Sequence, residues 1–484
     1  MTIKELVKKF IPHFSLDFYH YLLALFGAII FWFPSRKMTV IGVTGTSGKS
    51  TTVDFITRIL EEVGNKVVSN SSIRFKIRNK EWPNDLKMGM PGRFFMQKLL
   101  RQGVNQGCNY AVLEVTSEGI KQFRHKFIYF NTAVFTNLSP EHIESHGGFE
   151  NYRNEKLKLF SAGDGSAFGG KAKLNTHIVN IDDENAKYFL EIPARKTIIF
   201  GTDYACKING RQLYKHKEEK EQENYSDTLQ NDSILAENVN GMSFVISGTQ
   251  FNLNVLGQFN VYNALAAIAV ANAHGVSLEI CKRALEKIQG IPGRMEIVSK
   301  NPLVVVDYAH TPDQLEQAYK SFTDQPPPCG ATGVLIEPED LRAEWPVGPA
   351  HELVSGERAK LICVLGSCGG GRDKWKRPVL GKIAEKYCSQ IIITNEDPYD
   401  ENPMDIINQV VSGIQYPTPN TQHLILDRKE AIKKAILLAK PEDIVIITGK
   451  GSETWMCVEN GKKIPWDDRQ IAREALNHNP YQSY

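Results

Sequence analysis

From Met38 onward the chain alternates short unbroken apolar runs with longer stretches whose apolar side chains recur every three or four positions. The runs TVIGV (39–43), YAVLEV (110–115), TAVFTN (132–137) and THIVNI (176–181) form one group. LVVVDY (303–308), LICVLG (361–366), QIIITN (390–395) and DIVIITG (443–449) form a second. Such runs between turn residues predict buried strands, and their alternation with helical stretches predicts an α/β fold with largely parallel sheets. Met38 to Val43 reads as the first strand, and Ser50 to Val63 as a helix with Ile56, Ile59, Leu60 and Val63 on one face. The Gly/Pro break GIPGR (290–294) divides the two groups, which predicts a central domain over 38–292 and a C-terminal Rossmann-like domain over 293–484. Residues 215–236 are polar and charge-dense and read as an exposed excursion, while the Pro- and Gly-rich stretch 325–358 reads as a loop.

Ahead of the first strand stands FYHYLLALFGAIIFWF (18–33), nearly all apolar, with Lys8 and Lys9 before it and Arg36 and Lys37 after it. At sixteen residues it falls short of the roughly 20 that a spanning helix needs, and it lacks a small-residue cleavage site. Three readings stay open for this 1–37 segment: a helix packed on the next domain, an interfacial anchor making peripheral membrane contact, or a tilted span.

The length of 484 residues and 42% hydrophobic content allow two or three cores of ordinary size. A formal charge of +2 gives no electrostatic reason to propose a nucleic-acid partner. Eight cysteines without a C-x-x-C pair or zinc-type spacing predict reduced, structural thiols in a cytoplasmic protein.

The first strand runs into IGVTGTSGKSTT (41–52). The strict P-loop pattern wants a glycine where Val43 stands, so this is a P-loop of variant spacing. Its physics is intact: Gly45, Thr46, Ser47, Gly48 and Lys49 fall where strand turns into helix, and backbone N–H groups there face an anion. Lys49 adds charge for the outer phosphates, and Ser50 or Thr51 a hydroxyl for magnesium. The same stretch also reads as a glycine-rich turn with no ligand. Glu114 closes the YAVLEV run, placed to hold a magnesium ion beside such a loop. FTNLSPEHIESHGGFENYRNEKLKLF (135–160) then packs His142, His146, Glu141, Glu144, Lys156 and Lys158 between a strand and a helix, or else forms a solvated loop before an amphipathic helix.

GVTGTSGKST, EVTSEG, FTNLSPEHIESHG and EKLKLF, in that order, resemble the motif set of the Mur ligases, and of the tripeptide synthetases among them. These ATP-dependent enzymes build the peptide stem of peptidoglycan: ATP phosphorylates a substrate carboxylate, and an incoming amine attacks the acyl-phosphate. The resemblance implies ATP and Mg2+, a muramyl-peptide substrate and a free amino acid, with a monomer expected. It implies that Lys49 grips the γ-phosphate, that Ser50 holds one magnesium, that Glu114 and His142 hold a second, and that Lys156 is the lysine carbamylated in this family. LGQFNVYNALAA (256–267) resembles the segment whose asparagines, here Asn260 and Asn263, contact adenine; Asn260 also reads as a helix N-cap. GRMEIV and VVVDYAHTPD resemble the family's hinge, where Arg294 and Asp307 close over ATP and His310 lies near the phosphates. TGKGSETW (448–455) resembles the loop written GKGHE in the family, with Gly449 in it, Ser452 in place of histidine and Glu453 facing the amino acid's ammonium group.

The chain also departs from the family. Members that add diaminopimelate carry DNPR after the corresponding strand, whereas this chain has Glu396, Asp397, Pro398 and Tyr399. Without that arginine a distal carboxylate loses its bidentate partner, which favours L-lysine or another diamino acid. TSEG stands for the family's SSHG, so Glu118 replaces a histidine. Tripeptide synthetases open with a separate UDP-binding domain, yet about 37 residues precede the P-loop strand here, so a lipid-linked acceptor stays open. A folylpolyglutamate-type ligase and a membrane-associated nucleotide-binding module without ligase activity are the rival readings.

Overall fold

The computed structural model describes residues 13–161, 176–202, 242–323, 359–416 and 422–477, together with the backbone of 231–240. The stretch 325–358, residues 215–230 and the lysines at 8 and 9 lie outside the described residues. The chain divides into two compact units: Met1–Val239 with Ser243–Leu253 and Phe259–Lys287, and Asn240–Met242 with Asn254–Gln258 and Ile288–Tyr484.

The first unit opens with α1 (His13–Ile30), then β1 (Thr39–Thr44), α2 (Lys49–Glu62), β2 (Val67–Asn70), β3 (Arg74–Ile77), β4 (Lys80–Pro83) and α3 (Arg93–Asn105). There follow β5 (Tyr110–Glu114), α4 (Ser117–Lys121), β6 (Thr132–Phe135), α5 (Ile143–His146), α6 (Phe149–Phe160) and β7 (Thr176–Asn180). It continues through α7 (Ala186–Leu190), β8 (Lys196–Thr202), β9 (Asn231–Asn240), β10 (Ser243–Ile246), β11 (Thr249–Asn252), α8 (Phe259–Ala273) and α9 (Leu278–Glu286). All the strands join one sheet in the order β11-β10-β9-β8-β7-β6-β1-β5-β2-β3-β4. Its centre is parallel: β1 pairs with β5 on one side and β6 on the other, and β2, β7, β8 and β9 continue in the same sense. Hairpins β3–β4 and β10–β11 finish its ends. Because β1 sits between strands that follow it, its C-terminal end is a crevice where successive connections diverge to opposite faces, the place where α/β sheets take ligands.

The predicted α/β class and the eight predicted strands are present. Three expectations fail locally. Residues 231–236 belong to β9, because strand pairing to β8 satisfies their backbone whatever the polarity of the sequence. Val63 is 44% exposed as the C-cap of α2, past the last turn that Ile56, Ile59 and Leu60 bury. Asn260 lies inside the first turn of α8 rather than capping it, since the helix already begins at Phe259.

Helix α1 packs on α3, where Gly27 faces Arg93 and Gln97, and its Ala24 and Ala28 are buried with Phe127. The Arg101 guanidinium donates to the Phe31 oxygen at 2.9 and 2.6 Å and to the Trp32 oxygen at 2.9 Å, satisfying carbonyls at the helix end. Among the described residues no helix is long and apolar enough to cross a membrane.

The second unit holds β12 (Glu296–Lys300), β13 (Leu303–Val306), α10 (Pro312–Thr323), β14 (Leu361–Leu365), α11 (Lys376–Tyr387), β15 (Gln390–Thr394) and α12 (Pro403–Val411). After them come β16 (Gln422–Ile425), α13 (Arg428–Leu438), β17 (Ile444–Ile447), β18 (Trp455–Cys457), β19 (Lys463–Pro465) and α14 (Asp468–Asn477). The main sheet runs β12-β13-β17-β14-β15-β16, parallel except for β12. Val304, Val306, Ile362, Val364, Ile392, Val445 and Ile447 meet Ala431, Ile432, Ala435 and Ile436 of α13 and Ile471, Ala472 and Leu476 of α14. Across this layer Arg428 and Asp468 form a fully buried pair at 2.9 and 2.6 Å, with the Trp466 indole adding a donor at 2.8 Å. Cys363 on β14 and Cys388 at the end of α11 form a disulfide, which corrects the expectation of reduced thiols for this pair. Twenty-five residues separate them, and only the return of α11 against the sheet brings them together.

Two buried histidines tie the first unit to pH. Burial lowers His125 to about 3, with neither ring nitrogen hydrogen-bonded, and lowers His177 to about 4 against the nearby Phe160 and Ile192 carbonyls. Depressed folded values mean that the unfolded chain binds protons first, so this stability is present above pH ~6.5 and is lost as pH falls toward 4. His177→Phe, which keeps the ring contact with Phe160, is expected to remove about 2 kcal/mol of the destabilisation between pH 7 and pH 5. Thermal melts of both proteins at the two pH values check this; equal acid sensitivity would show that His177 is not a source.

Candidate active site

The loop between β1 and α2 is held from its flanks. Gly45 has φ +148° and Gly48 φ +77°, so both occupy backbone that side-chain-bearing residues avoid. Neither has room for a Cβ, which would lie 2.0 Å from Thr136 Oγ1 at Gly45 and 2.1 Å from Asn263 Oδ1 at Gly48. Asn137, just after β6, accepts from the Thr46 amide with its carbonyl (2.9 Å) and from the Ser47 amide with its side chain (2.8 Å). Thr136 donates to the Ser47 carbonyl at 2.8 Å, and the Thr46 and Tyr152 hydroxyls meet at 2.9 Å. Asn263 donates to Asn260 Oδ1 at 2.9 Å while accepting from Thr52 at 3.3 Å, so α8 supports the loop from beneath.

At the mouth of the crevice Ser50 Oγ donates to Glu114 Oε2 at 2.7 Å and lies 2.6 Å from Ser72 Oγ. The Ser72 amide donates to the same carboxylate oxygen at 2.8 Å. Lys49 Nζ donates to the Thr46 carbonyl at 2.7 Å. Thr51 is buried in the first turn of α2. Lys156, 2% exposed, donates to the Gly45 carbonyl at 2.6 Å and stands 4.4 Å from the Tyr152 ring centroid. Burial and then the Lys49 charge hold its amine well below the usual lysine range, with Glu141 and Glu114 opposing.

His142 takes a left-handed backbone ahead of α5, its Nε2 3.8 Å from Glu141. Behind it, His146 is lowered to about 4, chiefly by burial, so it stays neutral near pH 7 although its Nε2 is 3.5 Å from Glu118. Burial raises the Glu118 carboxyl, but the hydrogen bond it accepts from Ser145 Oγ at 2.8 Å and the Lys121 charge help to outweigh burial and hold it low. Among the described residues no group of three or more His, Cys, Asp and Glu side chains is arranged for a metal ion.

The second unit gathers its predicted residues at the C-terminal ends of parallel strands. Asp307, after β13, accepts from the amides of Met295 (2.8 Å) and Ala309 (2.7 Å); burial raises its carboxyl, opposed by Arg294. The Arg294 guanidinium stacks 4.0 Å over Tyr308, and His310 Nδ1 lies 2.9 Å from the Tyr308 carbonyl. After β17 the Gly449 amide donates to the Asp307 carbonyl, and buried Lys450 donates to Asp397 at 2.8 Å and Glu453 at 2.6 Å. Burial alone would lower Lys450, but those two carboxylates hold it above its usual range. The Pro398 carbonyl accepts from the Glu401 amide at 3.1 Å, and the Cys368 thiol donates to Glu396 at 2.8 Å. Sequence reasoning passed over Ser72, Asn137, Tyr152, Cys368 and Lys450. Asn137 and Lys450 stand inside the motif segments, but their tethering partners lie 90 and 53 residues away.

A phosphate-type loop at a sheet switch point, with a hydroxyl on a carboxylate beside it and a second parallel sheet bearing charged strand ends, defines a two-unit nucleotide-binding α/β enzyme. Comparison with known proteins carries this further. Residues 43–271 match the Mur ligase middle domain, and 350–451 the Mur ligase glutamate ligase domain. The chain is 33% identical over 463 residues to a UDP-N-acetylmuramoyl-L-alanyl-D-glutamate--2,6-diaminopimelate ligase of Syntrophomonas wolfei, covering 94% of this chain and 81% of that protein. It is 33% identical over 474 residues to a UDP-N-acetylmuramyl-tripeptide synthetase of Roseiflexus, with the same coverage. In fold alone it is similar to a Yersinia pestis folylpolyglutamate synthase/dihydrofolate synthase solved with AMPPNP and Mn, with a TM-score of 0.60, 16% identity, and 94% and 93% of the two chains covered. The chain belongs to the Mur ligase family, the ATP-dependent acid–amino-acid ligases.

Gly48→Ala sets a methyl group against Asn263 and strains the backbone. It is expected to cost about 1–3 kcal/mol and to weaken binding of a non-hydrolysable ATP analogue at least about tenfold. Calorimetric titration and thermal melts check this. Adding Asn263→Ala should recover the steric part alone, and unchanged affinity in Gly48→Ala would remove the loop from nucleotide binding.

Proposed function

We propose that the protein adds a diamino acid to the carboxylate of a muramyl peptide in peptidoglycan precursor synthesis. The observation that carries this reading is the convergence of Lys49, Ser50, Glu114 and Lys156 on the loop after β1. A substrate carboxylate oxygen attacks the γ-phosphorus of ATP and ADP leaves; the amino acid's amine then attacks the acyl carbon and phosphate leaves. Lys49 and the Gly45–Thr51 loop bind the phosphates, and Asn260 and Asn263, set against Gly48, serve the nucleotide.

The hydroxyl of Ser50 and carboxylate of Glu114 are hard oxygen donors 2.7 Å apart, a set that fits Mg2+. Ser50 would hold one such ion and Glu114 with His142 a second, and bound there they would neutralise charge on the transferring phosphoryl group. The neutral amine is the form that adds CO2 with loss of a proton, and burial shifts Lys156 toward that form, which suits it to become a carbamate and give the site another carboxylate. Arg294, Asp307 and His310 are assigned to ATP. Asp397, Pro398, Gly449 and Glu453 are assigned to the amino acid, with Lys450 fixing Asp397 and Glu453. Tyr399, in the place of the DNPR arginine, leaves a distal carboxylate without that partner. The reading places a monomeric enzyme in the cytoplasm, with residues 18–33 in peripheral contact with a membrane.

The test is phosphate release and product mass with Mg-ATP and UDP-N-acetylmuramyl-dipeptide across amino acids. A tripeptide product is expected with L-lysine or another diamino acid, and a rate with meso-diaminopimelate above that with L-lysine would overturn the side-chain assignment. No product with any amino acid overturns the reading. Lys156→Ala is expected to lower kcat by at least about a hundredfold, about 3 kcal/mol of transition-state stabilisation, with partial recovery on adding a short carboxylic acid. Full activity without rescue would remove Lys156 from the chemistry.

A further inference from the structure

The outer face of α1 has no part in the chemistry above. Its inner stripe, Ala24, Gly27 and Ala28, is buried against α3 and Phe127. The opposite stripe carries Phe18, Tyr19, Phe26, Ile29 and Ile30, each more than half exposed, and Trp32 follows at 81%. These positions recur at helical spacing, so they form one continuous apolar face rather than scattered exposed residues. Packing the helix on its own unit needs only the inner stripe.

Charge identifies what covers the other side. Arg36 and Lys37 are exposed just beyond Trp32, and Lys98 is exposed on α3, the helix that α1 packs against. Between His13 and Lys37 the only acid is Asp17, at the opposite end of the helix. An apolar face with aromatic residues toward its ends and a basic rim matches an anionic headgroup layer over acyl chains. A second copy would bring the same basic rim without acids at that end to meet it. Eighteen residues reach about 27 Å, so α1 lies along a surface rather than through it.

We propose that α1 docks the protein on an anionic lipid surface, with Phe18, Phe26, Ile29 and Ile30 at the acyl boundary and Arg36, Lys37 and Lys98 among the headgroups. The inference rests on the peripheral contact named above and not on which amino acid is added. The test floats the full chain with phosphatidylcholine vesicles, alone or with about one third phosphatidylglycerol, at low and high salt, with light scattering of the free protein. The expected result is flotation with the anionic vesicles, about tenfold weaker on neutral ones and at high salt. Phe26→Ser with Ile30→Ser should lose flotation about tenfold while melting temperature and ATP-dependent phosphate release hold. Lys37→Glu with Lys98→Glu should weaken flotation on anionic vesicles alone. Absence of flotation with either vesicle overturns the proposal, as does a dimer in solution that the serine variant dissolves. Equal flotation on both vesicles overturns the anionic part. Flotation without amino-acid-dependent product leaves the docking standing and removes the ligase reading.

Discussion

A loop that is to grip an anion must turn some of its amides outward, but the Thr46 and Ser47 amides here donate to Asn137, so the shape of the loop is fixed by its neighbours. Here the tethers come from elsewhere. Asn137 and Thr136 hold Thr46 and Ser47 from the end of β6, Tyr152 reaches Thr46 from α6, and Asn263 sits under Gly48 from α8. The parallel order β6-β1-β5 is what makes this arrangement available, because it sets the ends of β5 and β6 on either side of the loop. Glu114 from β5 and Asn137 from beyond β6 therefore arrive at the same place from opposite directions.

The same topology solves a second problem, the cost of buried charge. Lys156 is enclosed with only a carbonyl as hydrogen-bond acceptor and responds by giving up its proton affinity. Lys450 is enclosed with two carboxylates and responds in the opposite direction. Arg428 is enclosed with Asp468 and stays charged, bridging α13 to α14 and donating also to the Thr448 carbonyl. Breaking such a pair leaves one charge buried and alone, which is what makes the geometry of the 448–453 loop hard to alter. The two buried lysines are thus driven in opposite directions: Lys450 is hydrogen-bonded to two carboxylates, whereas at Lys156 the charges of Glu141 and Glu114 only partly offset burial.

The strands around both sites were legible because parallel strands buried on both faces must be written as apolar runs, and TVIGV, YAVLEV and QIIITN have no other economical reading. Strands toward the ends of the first sheet carry no such signature. RFKI on β3 and KEWP on β4 alternate or are polar, and β9 falls in a charge-dense stretch whose pairing to β8 is a long-range fact. The motif residues Lys49, Ser50, Glu114 and Lys156 were legible from type and order, but what fixes them was not. Asn137 lies in a quoted motif without announcing its role, and the Cys363–Cys388 contact depends on a helix returning across a sheet. Val63 shows the reverse error: its periodicity continues the apolar face of α2, but the helix stops first.

Helix α1 marks where sequence patterning loses its power. A helix apolar on all sides carries no periodic signal to say which face is inside, and FYHYLLALFGAIIFWF reads alike from every direction. Small residues break the tie. Ala24, Gly27 and Ala28 share one buried stripe of small residues, while larger aromatic and branched residues are left on the other side. The inner face is thus selected by size and not by hydrophobicity. An outer face selected only by exclusion could carry polar residues at no structural cost, and the lipid docking proposed above gives Phe18, Phe26, Ile29 and Ile30 a reason to stand there.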